Sequence, residues 1–287
     1  MATLRQIKRR IRSITNTAKI TKAMEMIAAS KMRRAQQRVL AARPYAEKMY
    51  QVLADLAAQP RPEGMTSLHP LLEVRPVQRI GIVHITTDRG LCGGLNANVN
   101  RLTASFLLDA GKPASLTAVG RKGRDFVLRN NLELRAEFTQ LSDKPTLADT
   151  LSISHAVMED YEGGRVDEVY LAYPRFVTTM NQRPAMERLL PVKPALIEQR
   201  ENVEYIYEPT SLVVLGQLLP RFVEMQVYRA FLEAIASEQS ARMVAMRSAT
   251  DNANDMIQEL TLSYNKVRQE AITKELLDIT GAAAALT

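Results

Sequence analysis

Residues 4–32 read LRQIKRRIRSITNTAKITKAMEMIAASKM. From Leu4 the small and apolar positions step alternately by three and four: Leu4, Ile7, Ile11, Ile14, Ala18, Thr21, Glu25, Ala28 and Met32. The register continues through Ala35, Val39, Ala42, Ala46, Met49, Leu53 and Leu56, and Thr21 and Glu25 are its polar members. A repeat of about 3.5 residues keeps a single stripe on one side of a helix, so this segment reads as one long helix with a seam for a partner. Ile20, Met24 and Ile27 form a neighbouring apolar ridge, which predicts a seam that drifts or stutters there. Pro44 removes an amide and crowds the carbonyl of Leu40, so a kink is expected, and Pro60 and Pro62 end the element.

A matching rod lies at the other end of the chain. After Pro209, Thr210 or Ser211 can cap a helix, Pro220 kinks or restarts it, and the pattern stays helical nearly to Gly281. Met246, Ala249, Ala253, Met256, Leu260, Ser263 and Val267 again step by three and four, with Ile257, Tyr264 and Ala271 widening the stripe. At ~1.5 Å per residue, Leu4 to Leu56 spans roughly 80 Å and Arg221 to Leu277 roughly 85 Å. A compact chain of 287 residues is only about 50 Å across, so neither rod fits inside one. The simplest partner for each stripe is the other, wound as an antiparallel coiled coil. Ala18, Thr21, Ala28, Ala35, Ala42 and Ala46 make the first seam slender; it buries little area and calls for an outer sleeve.

Between the rods the period changes. Short β-rich runs at 79–86, 115–119, 132–138 and 166–173 alternate with helical stretches near 95–109, 122–129 and 146–161, and residues 186–192 offer an edge strand. That alternation predicts βαβ units on a mostly parallel, Rossmann-like sheet. The expected fold is therefore α/β, with residues 1–60 and 210–287 as coiled-coil helices and 77–192 as the central domain.

The composition narrows the function. No run reaches the roughly 18 apolar residues of a spanning helix, and no secretory-type leader opens the chain. The lone Cys92 and three scattered histidines supply no zinc ligand set. Residues 1–43 carry twelve basic side chains against Glu25 alone, giving +11 where the whole chain has +7, so the remainder is slightly acidic. A cationic arm of this kind meets a polyanion or acidic protein loops. Its charges are interleaved with the seam instead of preceding it as in a basic zipper, so nucleic acid is not the expected partner.

The segment from Thr86 to Asn96, with Gly90, Gly93 and Gly94, sits where a phosphate cradle would. Its spacing matches neither dinucleotide nor P-loop patterns, and no acidic residue closes the second strand at Gly120. It reads as a tight strand-to-helix turn, Cys92 as a small packing residue, and His69, His84 and His155 as non-catalytic. No catalytic, metal or cofactor-binding residue is assigned.

Ile20–Met32, Asp88–Asn96, Ala236–Met246 with Ala249–Ala253, Tyr264–Lys266, Arg268–Gln269 and Ile272–Leu276 together resemble the gamma subunit of F-type ATP synthase, over the whole chain. The resemblance implies a rotor shaft in the hollow of a ring of three alpha and three beta subunits. The body would rest on the membrane ring of c subunits, with epsilon alongside, coupling proton flow to ATP synthesis or hydrolysis without a catalytic site of its own. It implies that Lys22 and Met24 face the lever segment of beta. By the same likeness Arg268, Gln269, Thr273 and Glu275 meet the upper inner loops of the ring, and Tyr205, Tyr207 and Glu208 rest on the c ring. The regulatory cysteine-bearing insertion of chloroplast members is missing and no transit-like leader is present, so the cytoplasmic face of a bacterial membrane is expected.

Overall fold

Residues 3–58, 69–142, 144–192, 207–208 and 210–285 are described by the structure, a computed structural model; at 42–43, 46–47, 50, 54, 57–58, 278 and 281–285 only the backbone is described. Pro60, Pro62 and Tyr205 lie outside these residues, as do the side chains of Ala42, Ala46 and Ala282–Ala285. The chain divides into two compact units, Met1–Ala28 with Arg242–Thr287, and Ala29–Ala241.

The first unit pairs the start of α1 (Leu4–Ala58) with the end of α5 (Ser211–Ala285). The Thr21 and Thr250 hydroxyls meet at 2.7 Å. Ala28 lies seven residues after Thr21 and Arg242 eight before Thr250, and both bound the unit, so the helices run antiparallel. Every heptad position of α1 in this unit faces inward: Ile7, Ala18 and Ala28 are buried, and Leu4, Ile11, Ile14, Thr21 and Glu25 half-buried. The expected drift at Thr21 and Glu25 does not occur, because Ile20 and Ile27 are 61% and 57% exposed. Polar residues hold the seam there because Thr21 finds a hydroxyl partner and Glu25 an ammonium, Lys22 Nζ at 3.0 Å.

On α5 the seam differs from the expected column. Met246, Thr250, Ala253, Ile257, Leu260, Tyr264 and Val267 face inward, while Met256 and Ser263 are exposed. Both columns share Met246, Ala253, Leu260 and Val267, and which intermediate residues join them is decided by where the partner helix lies. Equal counting from Thr21–Thr250 brings Ala18 level with Ala253, Ile14 with Ile257, Ile11 with Leu260, Ile7 with Tyr264 and Leu4 with Val267. Gly281 does not end α5, which continues to Ala285; an interior glycine costs only about 1 kcal/mol and the alanines after it are the best helix formers.

The second unit is built on a five-stranded sheet of order β3-β2-β1-β4-β5. β1 (Ile80–Ile85), β2 (Ala114–Val119), β3 (Glu133–Phe138) and β4 (Glu168–Thr178) are parallel, and β5 (Asn181–Leu190) returns antiparallel on the edge. The edge strand is longer and starts earlier than its apolar end implied, because residues 181–184 alternate between exposed and half-buried and 185–188 are all half-buried along a half-covered edge. One face carries Ile80, Ile82, Leu116 and Ala172 against α2 (Leu95–Ala110) and α3 (Arg121–Arg129). The other carries Val83, Ile85, Val119, Leu171 and Tyr173 in one core with α4 (Ala148–Glu162), Met49, Leu53 and Leu56 of α1, and Leu215–Ala236 of α5. Both long helices run on through Pro44 and Pro220, so Pro220 does not restart α5, whose first turn is capped by Thr210 Oγ1 accepting the Val213 amide at 3.3 Å.

Candidate functional site

Two kinds of place can carry function here: the C-terminal end of the parallel sheet, where α/β folds bind ligands, and the outer faces of the paired helices. At the sheet end, Gly120 has φ +93, and a Cβ there would stand 2.4 Å from the Thr86 carbonyl oxygen, so the turn requires glycine. That turn aims the first amides of α3 inward, as a phosphate site would need. They are already taken. Arg121 N–H donates to Asp88 Oδ1 at 2.9 Å, Lys122 N–H to the Thr87 carbonyl at 3.1 Å, and Gly123 N–H to Thr86 Oγ1 at 2.6 Å.

The glycine-rich turn is closed in the same way. Asn96 donates to Thr87 Oγ1 at 2.8 Å and accepts the Thr87 amide at 3.1 Å. Cys92 and Leu95 are buried against Ala241 of α5, so helix fills the crevice. His84 sits beneath α2 and α3, with Nε2 2.9 Å from Asn100 Oδ1 and Nδ1 3.1 Å from Thr103 Oγ1. Burial pulls its pKa down to about 4. Both nitrogens of the neutral ring are satisfied, which makes it a core residue, not a proton carrier. Among the described residues no group of His, Cys, Asp and Glu could hold a metal ion.

The helix faces are different, because they are open. Lys22 is exposed and Met24 half-buried, one turn from the Thr21–Thr250 level, beside exposed Ile20, Met26 and Ile27. Arg268, Gln269, Thr273 and Glu275 are all exposed. Since Leu4 is level with Val267, α5 continues past the start of α1 for about 27 Å at 1.5 Å per residue, with no second helix beside it among the described residues. This explains why Ile272, Leu276, Leu277 and Ile279 are exposed on a helix whose earlier turns were buried by a partner. The Lys22 and Arg268 groups form separate bands, about 30 Å apart at their nearest along the paired helices. In the second unit, Tyr207 is half-buried and donates from its hydroxyl to Asp55 Oδ2 at 2.8 Å, tying the entry of α5 to the end of α1, and Glu208 is exposed.

A family model described as ATP synthase matches residues 3–286. The ATP synthase gamma chain of Dehalococcoides mccartyi strain CBDB1 is 61% identical over 286 residues, covering 100% of both chains. The chain belongs to the ATP synthase gamma-chain family. The gamma chain of Roseiflexus sp. strain RS-1 is 53% identical, over 100% of this chain and 99% of the relative. Among solved structures, the central stalk and c-ring of Tetrahymena thermophila mitochondrial ATP synthase contains a chain 26% identical, with TM-score 0.58 over 80% of this chain and 99% of the other. A chain in the OSCP/F1/c-ring structure of Euglena gracilis mitochondrial ATP synthase has the same fold, with TM-score 0.70 at 20% identity over 99% of this chain and 94% of the other. Membership in the gamma-chain family makes the protein part of an F1 sector. No helix among its described residues is long and apolar enough to cross a membrane.

The Thr21–Thr250 pair escaped the sequence reading. Its signal was a threonine on each rod one heptad step from shared seam positions, and antiparallel counting would have matched them.

Proposed function

We propose that this gamma chain is the non-catalytic rotor of its ATP synthase, turning at the cytoplasmic face of a bacterial membrane and coupling proton-driven rotation of a c ring to ATP synthesis or hydrolysis in a ring of alpha and beta subunits. The carrying observation is the end of α5 beyond the start of α1, where Ile272, Leu276, Leu277 and Ile279 are exposed with no second helix beside them among the described residues. Apolar side chains in that number on an isolated helix need a surrounding surface. In this reading Arg268, Gln269, Thr273 and Glu275 contact the upper inner loops of the alpha and beta ring, Lys22 and Met24 contact beta lower down, and Tyr205, Tyr207 and Glu208 meet the c ring with epsilon alongside.

An asymmetric helix pair cannot present one face to three equivalent beta subunits at once. Each beta is biased differently, and rotation permutes the biases. Nucleotide affinity and shaft angle are then linked reciprocally: whatever an orientation does to affinity, bound nucleotide does to orientation. Exposed ion pairs contribute only about 0.2 to 1 kcal/mol each, so a cationic sleeve guides without trapping the shaft in one deep well.

The test is co-expression with alpha, beta and epsilon, purification through an affinity tag on this chain, and observation of a bead attached to the second unit during ATP hydrolysis. Co-purification of a hydrolysing ring with stepwise rotation supports the reading. Hydrolysis in a stable complex without rotation overturns it. Lys22→Ala or Arg268→Ala alone is expected to lower coupling modestly, and abolition of turnover by either with assembly intact would contradict distributed contact.

A further inference from the structure

The Thr21 and Thr250 side chains share two protons among three short contacts. Their oxygens are 2.7 Å apart, Thr21 Oγ1 is 3.1 Å from the Ala18 carbonyl, and Thr250 Oγ1 is 2.9 Å from the Met246 carbonyl. One hydroxyl therefore donates across the seam while the acceptor donates back into its own helix, and the order can reverse without moving either backbone. Thr250 is 8% exposed and Thr21 half-buried, so neither hydroxyl has bulk water as a full substitute.

Around this pair the seam is weakly interlocked. Ala18, Ala28 and Ala253 leave little volume for knobs and holes, and alanine rows discriminate poorly between registers. Sliding one helix by a heptad keeps seam on seam. It would, however, bring Thr21 level with Ile257 or Met243, and Thr250 level with Ala28 or Ile14, leaving each hydroxyl without its partner. Each hydroxyl would keep the bond to its own helix's carbonyl and lose the one across the seam, so the observed register alone makes all these bonds, and that difference selects it. Such a slip moves outward residues by about 10 Å along the axis.

We propose that Thr21 and Thr250 are positioning residues: a buried hydroxyl pin that selects one axial register of α1 and α5. It holds Lys22 and Met24 level with the α5 face carrying exposed Arg247 and Asp251. The surface offered to beta is then a composite of two helices and is complete in one register only. The consequence for coupling rests on the rotor reading; the register itself does not.

The experiment uses the full-length chain with Thr21→Val and Thr250→Val together, since valine keeps the shape and removes both hydroxyls. Ala18→Cys is combined with Ala253→Cys to report the observed register, or with Met246→Cys or Leu260→Cys to report a one-heptad slip. With both threonines present, oxidation is expected to link 18 to 253 at least tenfold faster than either slipped pair. In the double valine chain that preference falls to less than threefold, and Thr21→Ser with Thr250→Ser restores it. In the assembled complex the double valine variant keeps ATP hydrolysis but loses half or more of the protons pumped per ATP. Unchanged cross-linking preference in the double valine chain overturns the pin. Relaxed preference with unchanged pumping overturns its positioning role and leaves the rotor reading standing. Failure of the unaltered complex to rotate overturns that reading and leaves the pin intact.

Discussion

Asp88 Oδ1 accepts the amide of Arg121, the first residue of α3, at 2.9 Å, while its Oδ2 accepts the amide of Gln140 at 2.8 Å. One carboxylate thus occupies the helix terminus where a nucleotide-binding relative of this fold would place phosphate, and fastens two loops of the sheet end. Asp88→Ala strands both amides. The second unit is expected to lose about 1 to 3 kcal/mol, read as a lower thermal midpoint and faster hydrogen exchange at Arg121 and Gln140. Unchanged exchange at those two amides would contradict the assignment.

His84 gives the second unit an acid sensitivity of definite sign. Its folded pKa is pulled from 6.5 to about 4, so the unfolded chain takes up a proton at pH values where the folded chain does not. The contribution is fully present above about pH 6.5, declines as pH falls from there, and is lost by about pH 4, with a ceiling of roughly 3 kcal/mol. His84→Gln removes it. The gap in unfolding free energy between the two chains is expected to shift against the histidine chain between pH 7 and pH 4.5. A gap independent of pH would refute the buried neutral ring.

Ile27 and Ala28 are neighbours with opposite surroundings, 57% and 1% exposed. Ile27→Asn is expected to leave the thermal midpoint of the isolated chain within a degree or two, since a surface change moves stability by at most about 0.5 kcal/mol. Ala28→Leu forces three extra carbons into the seam and destabilises by about 1 to 3 kcal/mol. Circular dichroism melts of both variants check this; equal effects would mean the seam lies elsewhere.

Gly120→Ala places a Cβ 2.4 Å from the Thr86 carbonyl oxygen at a φ of +93. Neither the β1–α3 contact nor the backbone can absorb that, so a loss of about 3 kcal/mol or more is expected, seen as poor soluble yield or a midpoint lowered by several degrees. Gly90→Ala, with nothing within 4 Å of the added carbon, is the control expected to melt like the unaltered chain.

Much of this was legible before any coordinates. The α/β alternation gave β1 to β4 and α2 to α4 to within a few residues at most ends, because strand and helix periods and their turn residues are local properties. The heptad of α1 was read at every position from Leu4 to Ala28, as a seam is visible from one helix alone. The α5 seam was read with Ala249, Met256 and Ser263 in the column and Ile257, Tyr264 and Ala271 beside it, whereas Thr250, Ile257 and Tyr264 face inward and Met256, Ser263 and Ala271 are exposed, since two columns fit its composition equally well.

The sequence by itself determined the long helices, the parallel sheet, the cationic arm and the gamma-chain likeness, all of which depend on spacing along the chain or on chemistry at single positions. The tertiary structure decided that Thr21 meets Thr250, that α5 outruns α1 beyond Val267, and that Asp88 sits on the α3 terminus. Each of these depends on which distant residue faces which, Thr21 and Thr250 being 229 positions apart. A hydroxyl or carboxylate has many partners it could take in sequence, and packing selects among them.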